Sequence, residues 1–230
     1  MGYIADGFVT ALRLLATGDP ETYSAVLTTL KVTSLSITAA LLLGIPGGFA
    51  LGFYEFPGKK QLRTAVDTLL ALPTVVLGLF VYALISRRGP LGSLGMLFTL
   101  PGIVAGQTIL ILPIVLSLTA TAVSGLEAGL RDTMRSLGAG KRRIALTALY
   151  ESRFGVLAAA VTAYGRVIGE VGISMMIGGN IKWHTRTITT AIALETGKGQ
   201  FATGIALGLV LLLLAFMVNA VLQVFRRKAR

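Results

Sequence analysis

The sequence predicts an all-α membrane protein, and three observations carry the prediction. Charged side chains make up 13% of the 230 residues, about half the share of a soluble domain, and mean hydropathy is +0.79. The charges are also segregated: residues 32–54, 68–86, 89–126 and 199–225 contain no Asp, Glu, Lys or Arg. At ~1.5 Å per residue, each run is long enough to cross about 30 Å of hydrocarbon. Finally, the net charge of +11 is not a nucleic-acid patch, because the basic residues collect in alternate connections. Lys59, Lys60 and Arg63 follow the first run. Arg131, Arg135, Lys141, Arg142, Arg143 and Arg153 follow the third, and Arg226, Arg227, Lys228 and Arg230 close the chain. The intervening connections hold fewer: Arg13, then Arg87 and Arg88, then Lys182, Arg186 and Lys198. By the positive-inside rule the N-terminus is expected outside and the C-terminus in the cytoplasm, with anionic lipid against the basic loops.

In chain order, residues 1–18 are expected to form an interfacial helix, with Ile4, Phe8, Ala11, Leu12 and Leu15 at helical spacing. This stretch lacks the long apolar core of a cleavable signal peptide. A single membrane domain then occupies 19–230, with spans near 23–54, 64–86, 96–124, 154–181 and 200–225. Asp19, Pro20 and Glu21 suit the start of the first span as cap, first helical residue and first-turn acid. Pro46 with Gly47 and Gly48 predicts a bend in its inner half. The second span contains Pro73. The third uncharged run exceeds one span, so a re-entrant piece precedes it. The fourth carries Arg166 and Glu170, each costing roughly 2.5–3.5 kcal/mol at mid-membrane. At i and i+4 they share a face and can pair. The 28 glycines lie mostly in the spans, where small residues let helices approach; Gly165, Gly169 and Gly172 share one flank. Only five residues follow the last span, so no C-terminal regulatory domain is expected.

Catalytic equipment is sparse. Cysteine is absent, and the one histidine, His184, sits beside Trp183 as an interfacial residue would. Asp67 stands alone, and no Ser–His or His–carboxylate pair or metal cluster emerges. Gly197-Lys198-Gly199 lacks the remaining residues of a Walker A loop. If the chain moves a solute uphill, the energy enters from elsewhere, and the inner connection 125–153 is the expected entry point. Leu126, Leu130, Met134 and Leu137 mark a helix face, Gly138-Ala139-Gly140 stops that helix, and 141–150 resumes a second. Such a bent pair suits docking in a partner groove; resting on the bilayer as an amphipathic loop is the alternative.

The segment Asp132-Thr133-Met134-Arg135-Ser136-Leu137-Gly138-Ala139 resembles the "EAA" loop of ABC-importer permeases, with Asp for Glu and Thr-Met for the two alanines. Tyr150-Glu151 stands where that family has Leu-Pro. Tyr164-Gly165-Arg166-Val167-Ile168-Gly169-Glu170 resembles the A-R-x-[LI]-G-E stretch of sulfate, molybdate and phosphate permeases, and Asn180 resembles the Asn downstream of it. Together with the run 180–192, the chain is most similar to tungstate-specific permeases.

The resemblance implies a type I ABC-importer permease fold in a bacterial or archaeal cell membrane. It also implies a homodimer of two such chains, two ABC ATPase subunits that bind ATP and Mg, and an extracytoplasmic oxyanion-binding protein. The ATPase-coupling residues would be Asp132, Arg135, Ser136, Leu137, Gly138, Ala139, Gly140, Lys141 and Arg142. Arg166 and Glu170 are either a gate that transiently attracts a dianion or a pair that locks helix packing. Tungstate transport is the leading expectation. Molybdate or another oxyanion, a nucleotide-independent carrier and a membrane-embedded enzyme are the alternatives.

Overall fold

The computed structural model describes residues 2–125 and 133–228, with side chains through residue 220. All regular structure in these residues is helical: α1 (Tyr3–Ala16), α2 (Pro20–Phe53), α3 (Lys59–Leu69), α4 (Thr74–Ile85), a 3-10 turn (Gly92–Leu94), α5 (Leu100–Ser124), α6 (Lys141–Glu151), α7 (Arg153–Ile168), α8 (Gly172–Gly178), α9 (Ile188–Gly197) and α10 (Phe201–Lys228). Three helices, α2, α5 and α10, are long and apolar enough to cross a membrane alone. Two bent pairs, α3 with α4 at 102° and α6 with α7 at 52°, bring the number to five if each pair is one span.

The central packing joins α2 to α5, which run parallel. Asp19 caps α2 by accepting from the Thr22 amide at 2.8 Å. Beyond it the helix continues without interruption through Pro46. The glycines near that proline serve close approach: an added Cβ would lie 2.7 Å from Val115 Cγ1 at Gly44, 2.7 Å from the Leu116 carbonyl at Gly48 and 2.6 Å from the Ala120 carbonyl at Gly52. Their spacing of four keeps all three on one face. Higher on the same seam, Ser36 donates to Gln107 Oε1 at 3.1 Å and Gln107 Nε2 donates to Ser174 at 3.2 Å. Polar groups buried this deeply need such partners.

The segment expected as the second span, 64–86, is not one helix. Proline disfavours the α conformation of the residue before it, and the chain turns at 70–73 before α4 begins. The amides of Leu70, Ala71 and Leu72 donate to carbonyls three residues back, so the break keeps its backbone satisfied. With 12 residues, α4 spans only about 18 Å. α3 lies apart from that axis and is tied down by Arg63, which donates to Thr121 at 3.0 Å and Ser124 at 3.3 Å. Asp67 likewise has a partner, Ser117, at 2.6 Å.

Two apolar cores share α7. Ala163 and Val167 pack with Ala40, Ile111, Val115 and Ile173, while Tyr164 and Ile168 pack with Ala25, Ile188, Leu207 and Val210. α1 docks on α10 rather than only lying at an interface. Gly7 and Ala11 are buried, the Tyr3 ring lies 5.7 Å from Phe201, and Ile4, Phe8 and Leu12 face outward. Glycine at position 7 permits this, since a Cβ there would meet Ile205 at 2.6 Å.

The α2–α5 seam has no room for a side chain at its glycines. Gly48→Leu is expected to lower stability by about 1–3 kcal/mol through overpacking, read as a fall in the thermal unfolding midpoint in detergent, while Gly2→Ala, in open space, leaves it unchanged.

Candidate functional site

The segment expected as the fourth span, 154–181, breaks where its charges lie. α7 ends at Ile168, Gly169 follows, and α8 starts at Gly172. Glu170 sits in the break and is buried at 3% exposure. Its Oε2 accepts from Arg166 Nη1 at 3.0 Å and its Oε1 from the Ile173 amide at 3.1 Å. One carboxylate thus neutralises the guanidinium and caps the exposed amide end of α8. Its carbonyl accepts from Thr189 Oγ1 at 2.9 Å, fastening α9 to the same point. The pair expected from i, i+4 spacing is formed, but across the helix break rather than along a helical turn.

Arg166 differs from its partner, with 41% of its side chain exposed. Around it lie Thr162, Gly165 and Gly169, all exposed, and a Cβ at either glycine would meet nothing within 4 Å. Within this chain, therefore, neither glycine packs a neighbouring helix. The face they leave is exposed and carries the Arg166 guanidinium.

On the side where α2 begins, a second cluster fixes the loop after α8. Glu21 accepts from Lys182 at 2.6 Å and also pairs with Arg186. Arg186 Nε donates to Asn180 Oδ1 at 3.1 Å. Thr187 and Thr190 form a reciprocal capping box for α9, and Thr29 of α2 accepts from the Ile188 amide at 2.9 Å. Thr185, Thr187, Thr189 and Thr190 are all buried. None of these threonines stands out in the sequence as a site residue. The signal available was a run of four hydroxyl side chains within six residues of an otherwise apolar chain.

At the opposite end lies the bent pair anticipated around Gly138. Of the coupling residues named above, Asp132 lies outside the described residues. Residues 133–136 are helical. The helix stops in a Schellman arrangement: the Gly138 amide donates to the Arg135 carbonyl at 2.9 Å and the Ala139 amide to the Met134 carbonyl at 2.9 Å. Gly138 adopts φ 77°, a conformation that favours glycine. Gly140 then precedes α6 in extended conformation, and Ser136 Oγ donates to the Thr133 carbonyl at 2.9 Å. Leu137, at the apex, is 80% exposed. Arg135, Ala139, Lys141 and Arg142 line a cavity of about 890 Å³ against Phe49 and Phe53 at the end of α2. The helix is thus firmly stopped with an exposed leucine at its tip.

The family described as binding-protein-dependent transport system inner membrane component matches residues 44–230. The tungstate uptake system permease protein TupB of Campylobacter jejuni is 48% identical over 227 residues, covering 99% of this chain and 95% of that protein. TupB of Peptoclostridium acidaminophilum is 37% identical, covering 96% and 97% respectively. The molybdenum transport system permease protein ModB of Escherichia coli K12 is 31% identical, covering 79% and 83%. Among solved structures, an inward-facing methionine ABC transporter, MetNI, superposes with a TM-score of 0.75 at 19% identity, covering 91% of this chain and 96% of that one. The last likeness establishes the fold.

Glu170 is the more deeply committed member of the charge pair, so losing Arg166 leaves a buried carboxylate with one amide partner. Arg166→Met is expected to destabilise the protein by about 1–3 kcal/mol. This is less than a fully buried pair would lose, because Arg166 is partly exposed. The double variant Arg166→Met/Glu170→Gln should recover part of that loss in thermal unfolding.

Proposed function

This chain belongs to the family of binding-protein-dependent transport system inner membrane components, and from that premise we propose that it is the permease of an ATP-driven tungstate importer. Membership implies partner ATPase and solute-binding subunits. The choice of tungstate rests on the two tungstate uptake permeases that match along nearly the whole chain. ATP and Mg belong to the ATPases, and this subunit is non-catalytic. Its C-terminus and the 133–151 segment face the cytoplasm, in keeping with the basic residues that cluster there.

The observation that carries the mechanism is the glycine-stopped pair at 133–151, with Leu137 exposed at its apex. It docks on an ATPase subunit and transmits the closure that follows ATP binding. Two copies of the permease enclose the pathway, each contributing the open face of Thr162, Gly165, Arg166 and Gly169. A tetrahedral dianion passing Arg166 meets a cation already paired with Glu170, so attraction is weak enough to release it. Closure opens the pathway toward the binding protein, and hydrolysis resets it. Arg166 and Glu170 thereby combine the two roles left open by the sequence: Glu170 holds the break together, and Arg166 faces the solute.

Two measurements on the reconstituted complex test this reading. Tungstate uptake should withstand molybdate in excess; equal competition would make the importer a general oxyanion system. Gly138→Pro forces φ away from its observed value and is expected to reduce ATP-driven uptake at least tenfold. Unchanged uptake would remove the coupling role of this segment.

A further inference from the structure

Lys31 is an anomaly on the long apolar helix. It is exposed on α2 immediately before the uncharged run that begins at Val32. The cations of the loop after α8, Lys182 and Arg186, are both paired with Glu21. No carboxylate of the described residues pairs with Lys31.

Its depth is fixed by packing. Ser36 meets Gln107 and Gly52 meets Ala120, so α5, which starts at Leu100, begins level with Lys31. From there to Phe53 the helix rises about 33 Å, close to the hydrocarbon thickness. With Phe53 at one boundary of the hydrocarbon, that length puts Lys31 at the other, on the side where α2 begins.

A groove of about 380 Å³ surrounds it, lined by Tyr23, Ser24, Thr28, Trp183 and His184. Ser24 lies two turns above Lys31 on the same helix face. Trp183 is held at φ 66°, an unfavourable conformation for a bulky residue. The turn around it is tied by the His184, Thr185 and Arg186 amides, all donating to the Ile181 carbonyl at 2.9–3.1 Å. The indole is thus presented by a fixed turn. Below Lys31 on the same face, Leu35 and Leu42 are 58% and 70% exposed, at spacings of 4 and 11 that form a straight apolar stripe.

We propose that this groove binds the phosphate of an anionic phospholipid from the leaflet on that side. The Lys31 ammonium neutralises the phosphodiester, and the Ser24 hydroxyl and Trp183 N–H supply donors to its oxygens. An acyl chain runs down Leu35 and Leu42. The membrane depth and the apolar stripe select a lipid over a free oxyanion, which has no use for exposed leucines. This site is independent of the transported solute.

Trp183 is the only tryptophan in the chain, so its fluorescence reports this groove alone. The full chain is placed in bilayers carrying phosphatidylglycerol or phosphatidylcholine brominated high on the acyl chains, and quenching is titrated against mole fraction. Brominated phosphatidylglycerol should quench at about fivefold lower mole fraction than phosphatidylcholine, the preference one lysine contributes near an anionic headgroup. Lys31→Gln should erase that preference and Lys31→Arg should keep it. Equal quenching by the two lipids in the unsubstituted protein would overturn the proposal, as would a preference that survives Lys31→Gln. Relief of phosphatidylglycerol quenching by millimolar inorganic phosphate or tungstate, with sodium chloride at equal ionic strength inactive, would assign the groove to a free oxyanion and also overturn it.

Discussion

Hydrocarbon offers a peptide bond no hydrogen-bonding partner, and that constraint governs this protein wherever a helix breaks inside its apolar layers. Glu170 is the principal answer to it. At the interruption between α7 and α8, its carboxylate takes the Ile173 amide and the Arg166 guanidinium, and its carbonyl takes the Thr189 hydroxyl. A break that would otherwise cost several kcal/mol becomes a joint where three helices meet. The break at 70–73 is simpler, closed by short-range amide–carbonyl bonds on the N-terminal side of Pro73.

The joint explains why a charged pair persists in an apolar crossing. Burying Glu170 while leaving Arg166 partly exposed makes the two residues unequal. One is structural; the other presents positive charge on a face with no packing neighbour at Gly165 or Gly169. α7 connects this face directly to α6 and, through Gly140, to the glycine-stopped turn at 138. Between that turn and the break the chain runs through α6 and α7, which meet at a 52° bend.

Much of this was legible in the sequence, for identifiable reasons. The apolar crossings and the stop at Gly138 follow from local composition and turn chemistry, which act over a few residues. Pro73 marked a disturbance but not its size, because the 102° angle depends on what α3 and α4 each pack against. The i, i+4 spacing of Arg166 and Glu170 correctly paired them, yet suggested a continuous helix. Only the Thr189 and Ile173 contacts, set by residues distant in chain or conformation, reveal the break. Gly47 and Gly48 read as a bend signal beside Pro46, whereas Gly44, Gly48 and Gly52 form a contact stripe that becomes meaningful once α5 is placed alongside. The ion pairs of Glu21 link residues more than 160 positions apart, beyond the reach of periodicity.

If the open face around Arg166 lines a pathway between two copies, as proposed, the width of that pathway follows the nucleotide state. The chain contains no cysteine, so Thr162→Cys, one turn before Arg166, gives a single spin-labelling site per copy. Pulsed electron–electron distance measurement on the assembled transporter should give one inter-copy distance without nucleotide and a distinct one when ATP hydrolysis is trapped. An identical distance distribution in the two states, or no dipolar coupling between copies, would contradict the account.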